Sequence, residues 1–249
     1  MRHKRGDRLR HSRFERREGE HSGKVVEGKR ANSHLMKPIL LTLAGNPENQ
    51  DRGLIIHDGP RFVLCVADGA GGRSGGAAAA SMAVELVRQN ASLLSTVERS
   101  AEVLRKMDTA IAKDPIAGET TCVLAILTPE DIFGASVGDS GGWLIPESGA
   151  HVDLTQAQQR KPFIGSGSAW PAPFRRPREV GDLLLATDGL LKYTSAEHII
   201  PACRDHSADV AAQRLIELVR YPSGALPDDV TIILIGIGKD HSHDGKGNN

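Results

Sequence analysis

Read for apolar and polar positions alone, the chain divides at Lys37. Residues 1–36 carry no sustained hydrophobic period, whereas from Lys37 onward apolar runs of strand length alternate with polar turns and with stretches of helical spacing. Ile39, Leu40, Leu41 and Leu43 read as a first strand, followed by a polar turn over residues 45–51. Residues 54–57 read as a second strand, turning at Asp58-Gly59-Pro60 into a third that begins at Phe62 and stops at Asp68. The short connections predict that these strands are antiparallel neighbours, which brings Asp51 close to Asp68.

Beyond Asp68 a glycine-rich turn leads to Ser74, placed to cap a helix in which Ala78, Ala79, Met82, Ala83, Leu86 and Val87 recur at three and four. Ser95 and Glu98 have capping-box spacing ahead of a second helix, whose apolar stripe is Val97, Ala101, Leu104, Met107 and Ile111. A strand pair follows, residues 121–127 and 132–137 turning at Pro129-Glu130-Asp131, and then a strand over 142–146. Residues 182–186 and 230–237 read as further strands, with a helix near 210–219 between them. Residues 151–178 show no clear period and read as a long loop, with Trp143 and Trp170 taken as packing residues. Hairpins combined with pairs of helices predict an α+β domain with antiparallel sheet over residues 37–238, followed by a polar C-terminal tail at 239–249.

Charge changes the picture at the N-terminus. Lys and Arg total 31 and Asp and Glu total 31, yet Arg2, Lys4, Arg5, Arg8, Arg10, Arg13, Arg16 and Arg17 crowd into residues 1–36, so the remainder is acidic. With almost no apolar residues, that segment reads as a disordered, solvated extension rather than a nucleic-acid arm, and Met36 offers an alternative start. It lacks the apolar centre of a secretory signal, and no later run is long enough to span a membrane. The expectation is a cytoplasmic protein with neither membrane nor nucleic acid as partner. Cys65, Cys122 and Cys203 sit far apart in apolar runs with no Cys-x-x-Cys pair, which predicts reduced core residues and neither a disulfide framework nor a zinc site.

The candidate chemistry lies in what ends the strands. Asp68 stands at the mouth of an apolar strand, and Gly69, Gly71 and Gly72 remove side-chain bulk so that an ion or phosphate can approach the backbone. The loop is not a nucleotide-hydrolase phosphate loop, because Arg73 and Ser74 follow with no lysine in register. Nor is it a dinucleotide fingerprint, because Ser74 stands where the third glycine belongs. Asp188 ends a second apolar strand in the same Asp-Gly manner, Asp139 follows Val137-Gly138, and Asp228 and Asp229 stand directly before the last strand. Each Asp-Gly alone is an ordinary turn. Together, carboxylates at the ends of several strands need cations among them, and an all-oxygen set suits hard ions such as Mg²⁺ or Mn²⁺.

In order, the motifs are Asn49-Gln50-Asp51, Val66-Ala67-Asp68-Gly69-Ala70-Gly71-Gly72, Gly118-Glu119-Thr120-Thr121, Val137-Gly138-Asp139-Ser140, Ala186-Thr187-Asp188-Gly189-Leu190 and Asp228-Asp229-Val230-Thr231. This series resembles the PPM, or PP2C-type, metal-dependent serine/threonine protein phosphatases, over nearly all of residues 37–238. The resemblance implies a four-layer αββα sandwich of two antiparallel sheets flanked by helices. It also implies hydrolysis of phosphoserine and phosphothreonine by a water bridging two Mg²⁺ or Mn²⁺ ions. Asp68 corresponds to the aspartate that bridges the ions, the Gly69 carbonyl to a further ligand, and Asp188 and Asp228 to the other metal-binding aspartates, so that Asp68, Asp188 and Asp228 form the catalytic set. Asp51 matches the first-motif aspartate, which binds directly or through water, and Asp139 an acid of a looser third site. The partners so implied are a phosphorylated protein and a cognate serine/threonine kinase, with the chain acting as a monomer.

Four positions depart from the family pattern. Asn46 stands where many relatives place a phosphate-binding arginine, leaving Arg52, Arg73, Arg175 and Arg176 as substitutes; Gln50 replaces a glutamate; Ala70 replaces a candidate general acid; and Lys192 stands where an acid would serve the third ion. These departures support an alternative reading, a catalytically weakened phosphoprotein-binding or sensor module. Residues 151–178 occupy the place of the family's flap beside the active site. A rival motif, Gly138-Asp139-Ser140-Gly141-Gly142, resembles the nucleophile segment of trypsin-like proteases, but His57 lacks the matching context.

Overall fold

The central apolar runs are strands buried on both faces, which is why they read as continuous rather than alternating. In β3 (Arg61–Asp68), Phe62, Leu64 and Val66 face one core while Val63, Cys65 and Ala67 face another. The computed structural model describes residues 36–70, 75–204 and 206–238. The basic extension short of Met36, the polar C-terminal tail, and the Gly71, Gly72, Arg73 and Ser74 loop with its expected cap lie outside the described residues.

Ten strands form two antiparallel five-stranded sheets. One has the order β2 (Asp51–Asp58), β3, β4 (Cys122–Leu127), β5 (Asp131–Val137), β8 (Ala172–Pro177). The other has the order β1 (Ile39–Leu43), β10 (Val230–Ile237), β9 (Gly181–Ala186), β6 (Gly141–Pro146), β7 (Val152–Asp153). Three apolar layers result. Leu64, Val123, Leu144, Leu183, Ile233 and their neighbours fill the space between the sheets. Helices α1 (Gly76–Asn90) and α2 (Val97–Ile111) cover the outer face of the first sheet through Ala79, Ala83, Val87, Leu104, Met107 and Ile111. Helices α4 (Ala196–Arg204) and α5 (Ala208–Glu217) cover the second through Ile199, Cys203, Ala212 and Leu215. The architecture is the α+β, four-layer αββα sandwich.

Several local expectations are corrected. The first strand does not neighbour the second: β1 pairs with β10, and the chain crosses to the other sheet before β2. Its apolar residues fit either sheet, so only the tertiary fold chooses the partner. The second helix starts one residue later than the Ser95 box implied, with Thr96 accepting from the Arg99 amide at 3.3 Å. The aperiodic stretch 151–178 ends in strand β8, where the Pro-rich, exposed face of an edge strand hides the alternation. The short helix α3 (Asp188–Leu191) and helix α4 were not foreseen. Trp143 is half-buried against the α4/α5 core, but Trp170 is 72% exposed and packs in no core. The cysteines are free and buried as expected.

Leu64 is wholly buried between the sheets. Leu64→Ala is expected to lower the unfolding free energy by about 2–5 kcal/mol through a cavity the sandwich cannot close, measured by urea denaturation.

Candidate active site

Antiparallel pairing decides which strand ends meet. Asp51 at the start of β2 is the register partner of Asp68 at the end of β3, and the end of β9 lies beside the start of β10. The chain crosses between sheets at 44–50 and again at 138–140, where Gly138 takes the left-handed φ of 103° that admits so sharp a passage. All these ends open on one cleft of roughly 530 Å³, and Asp68, Asp139, Asp188 and Asp228 line it together with the backbone of Gly69. Asp51 is 2% exposed and lies behind the lining residues rather than among them.

Each carboxylate is set by neighbours that the motifs did not announce. The Asp68 amide donates to Thr121 Oγ1 at 3.1 Å, and its carbonyl accepts from the Thr121 amide and Thr120 Oγ1, each at 2.8 Å, so the end of β3 cannot swing. Thr187 Oγ1 donates to Asp51 Oδ2 at 2.7 Å, a bond that ties one sheet to the other. Asp228 Oδ1 accepts from Asn46 Nδ2 and from the Asp229 amide, both at 3.0 Å. Asp229 lines the cleft as well but has its oxygens filled: buried, it accepts from the amides of Gly45, Asn46 and Gln50 at 2.8, 3.0 and 2.8 Å and so clamps the β1–β2 crossing. One carboxylate that the motifs do not include, Asp108, lies in the buried stripe of α2 and accepts from the amides of Gly165, Gly167 and Ala169. Its signal was available, since an aspartate interrupts the apolar positions Leu104, Met107 and Ile111 on one helix face.

Other sequence-level candidates are placed elsewhere. An added Cβ at Gly69 would meet the backbone of Gly76 at 2.4 Å, so the missing side chain admits the start of α1 rather than a ligand. Arg52 is committed to Ser81 and to the carbonyls of Asn49 and Asp51, and Arg175 pairs with Asp131; neither lines the cleft. Ser140, the rival nucleophile, is fully buried and bonded to Thr121 Oγ1 at 2.7 Å, while His57 stacks on Phe62 at the other end of its hairpin. The protease reading is excluded by that placement.

The electrostatics are those of negative charge in want of cations. Burial, then the charges of Asp51, Asp188 and Asp139, push Asp68 far above the usual carboxylate range. Burial, with Asp139 and Asp228 adding to it, likewise raises Asp188, and Asp68 and Asp188 lie within hydrogen-bonding reach of each other. Burial raises Asp51 to about 7 despite the Thr187 bond. Asp51 Oδ1 is buried without a hydrogen-bond partner. An all-oxygen set carrying this much uncompensated charge fits hard divalent cations. Among the described residues no three His, Cys, Asp or Glu side chains already converge on one point, so the carboxylates share a cleft rather than a preformed cage.

Comparison with known proteins shows the family and the fold. A sequence model of the family described as protein phosphatase 2C matches residues 43–219. The chain belongs to that family. The match stops short of Asp228, whose placement therefore rests on the geometry. The serine/threonine protein phosphatase PstP of Mycobacterium tuberculosis is 25% identical over 235 residues, covering 75% of this chain and 44% of PstP, so this PP2C chain spans less than half the length of that relative. Among solved structures, a bacterial serine phosphatase superposes with a TM-score of 0.71 at 19% identity, covering 82% of this chain and 99% of its own. The catalytic domain of PstP in complex with two manganese ions superposes with a TM-score of 0.68 at 22% identity, covering 81% and 97%. These likenesses show that the PP2C fold is shared.

The raised carboxylates give a pH dependence with a definite sign. Above pH 3.8 the unfolded chain ionises Asp51 while the folded chain holds its proton until about pH 7, so the folded state binds more protons and loses stability as pH rises through that window. In chelator, Asp51→Asn is expected to gain thermal stability relative to the parent from about pH 4 to about pH 7. Circular dichroism melts at a series of pH values measure this, and a flat difference would contradict it.

Proposed function

We propose that this PP2C chain is a divalent-cation-dependent phosphoprotein phosphatase that hydrolyses phosphoserine and phosphothreonine. The observation that carries the reading is the convergence of Asp68, Asp139, Asp188 and Asp228, from separate strand ends, on one cleft in which burial and the neighbouring charges raise Asp68 and Asp188. Asp68, Asp188 and Asp228, with the Gly69 carbonyl, are the groups that would hold two Mg²⁺ or Mn²⁺ ions, with Asp51 behind them. When bound, such ions supply an activated water and Lewis-acid stabilisation of the phosphoryl oxygens.

The protein's own residues set the frame for that chemistry. The only hydroxyl or thiol among the described residues lining the cleft is Thr121, and it is committed to the Asp68 amide and to Ser140. Among the described residues the cleft thus offers no uncommitted side-chain nucleophile of the serine or cysteine kind, which supports water as the attacking group. Thr120 and Thr121 hold Asp68, Thr187 holds Asp51, and Asn46 holds Asp228, so the donors keep their positions through turnover. Ala70 offers no proton donor after Gly69.

A second reading, a weakened phosphoprotein-binding module, draws on two protein cations at the cleft. Lys192 Nζ lies 3.9 Å from Asp188 Oδ2, and Arg160 Nε lies 2.8 Å from Asp139 Oδ2. Arg160 faces the acid that would serve a third ion and Lys192 stands in the place of another, so each competes with such an ion by charge.

Mn²⁺-dependent hydrolysis of p-nitrophenyl phosphate and of a phosphothreonine peptide is expected, lost in chelator and reduced about a hundredfold or more by Asp68→Asn. A folded parent with no turnover under any divalent ion hands the site to the binding-module reading. Lys192→Asp is expected to raise turnover at high Mn²⁺ and to add an ion to the calorimetric titration, and an unchanged stoichiometry and rate would sink the idea of competition.

A further inference from the structure

A phosphoryl dianion entering a cleft walled by carboxylates needs cationic groups from the protein as well as from bound ions. Most of the nearby cations are already spent. Asn46 brings an amide, and its Nδ2 is held by Asp228. Arg52 is tied to Ser81 and two carbonyls, Arg160 to Asp139, and Lys192 is drawn to Asp188.

Lys161 differs. It lines the cleft, has no ion-pair partner among the described residues, and carries its Nζ 5.4 Å from the centroid of the Phe163 ring, which also lines the cleft. The backbone around it is fixed on both sides. Before it, Gln158 Nε2 donates to the Ser140 carbonyl at 2.6 Å and Arg160 binds Asp139. After it, Ile164 exchanges two backbone bonds with Thr120, at 2.9 and 3.0 Å, and Thr120 also binds the Asp68 carbonyl. Asp108 then holds the next turn through the amides of Gly165, Gly167 and Ala169. A lysine whose ammonium lies over an aromatic face, on a segment pinned to the same strand ends as the carboxylates, loses little further entropy when an anion binds.

We propose that Lys161 is the phosphate-binding cation of this site, contacting the phosphoryl oxygens of a phosphomonoester dianion. This rests on the phosphatase reading and adds to it the residue that anchors the substrate. The test is calorimetric titration of inorganic phosphate into the full chain loaded with Mg²⁺, beside KM and kcat for p-nitrophenyl phosphate. Lys161→Met is expected to weaken phosphate binding and raise KM by about tenfold, the loss of one charge-assisted hydrogen bond, with Mg²⁺ affinity unchanged. Lys161→Arg is expected to stay within about threefold of the parent, because the charge is kept. Phosphate affinity in Lys161→Met equal to the parent's overturns the proposal, and so does an equal loss in Lys161→Arg, which would mark a purely structural role. A parent that binds Mg²⁺ but neither phosphate nor the ester overturns the phosphatase reading itself and this proposal with it.

Discussion

The structure turns on one electrostatic constraint: carboxylates of like charge must be held at the same end of a sandwich, partly out of water, without flying apart. Antiparallel pairing brings Asp51 against Asp68, and the β9–β10 pairing places Asp188 beside the Asp228-Asp229 pair. Burial and mutual repulsion raise the proton affinities of Asp51, Asp68 and Asp188. A site so destabilised by its own charge persists only because the two sheets and their helices bury a large apolar surface around it.

Holding such a site is the work of short polar side chains behind it. Thr187 joins the sheets through Asp51, Thr120 and Thr121 fix the end of β3, and Ser140 closes that small network. Two further aspartates gather backbone amides. Asp229 gathers the amides of the β1–β2 crossing, and Asp108 gathers those that follow Lys161. Three amide donors around one carboxylate satisfy its oxygens without a cation. Asp228 and Asp229, adjacent in sequence, both reach the cleft, but only Asp229 clamps the β1–β2 crossing.

The second feature of the cleft is the set of protein cations around it. Arg160 pairs with Asp139, Lys192 is drawn to Asp188, and Lys161 stands over Phe163 with no carboxylate partner among the described residues. Arg160 and Lys161 owe their positions to the segment after β7. That segment is no slack loop, because bonds to Ser140, Thr120 and Asp108 fasten it along its length.

The strands, the amphipathic stripe of α2 and the aspartates at strand ends were legible in the sequence, because local apolar runs and Asp-Gly breaks are set by neighbours along the chain. What remained hidden involves partners far apart in sequence. That β1 pairs with β10 rather than β2 follows from which faces remain to be buried, and nothing in the residues Ile39 to Leu43 states it. The edge strand β8 has prolines and exposed arginines that mask its period. The clamps at Asp229 and Asp108, and the Thr187–Asp51 bond across 136 residues, exist only once backbone amides and hydroxyls are brought to them. The sequence by itself thus determined which residue types can bind hard cations and that several strands end in them. Only the tertiary structure decided which carboxylates share a cleft and which cations oppose them, because charge interacts through space and not along the chain.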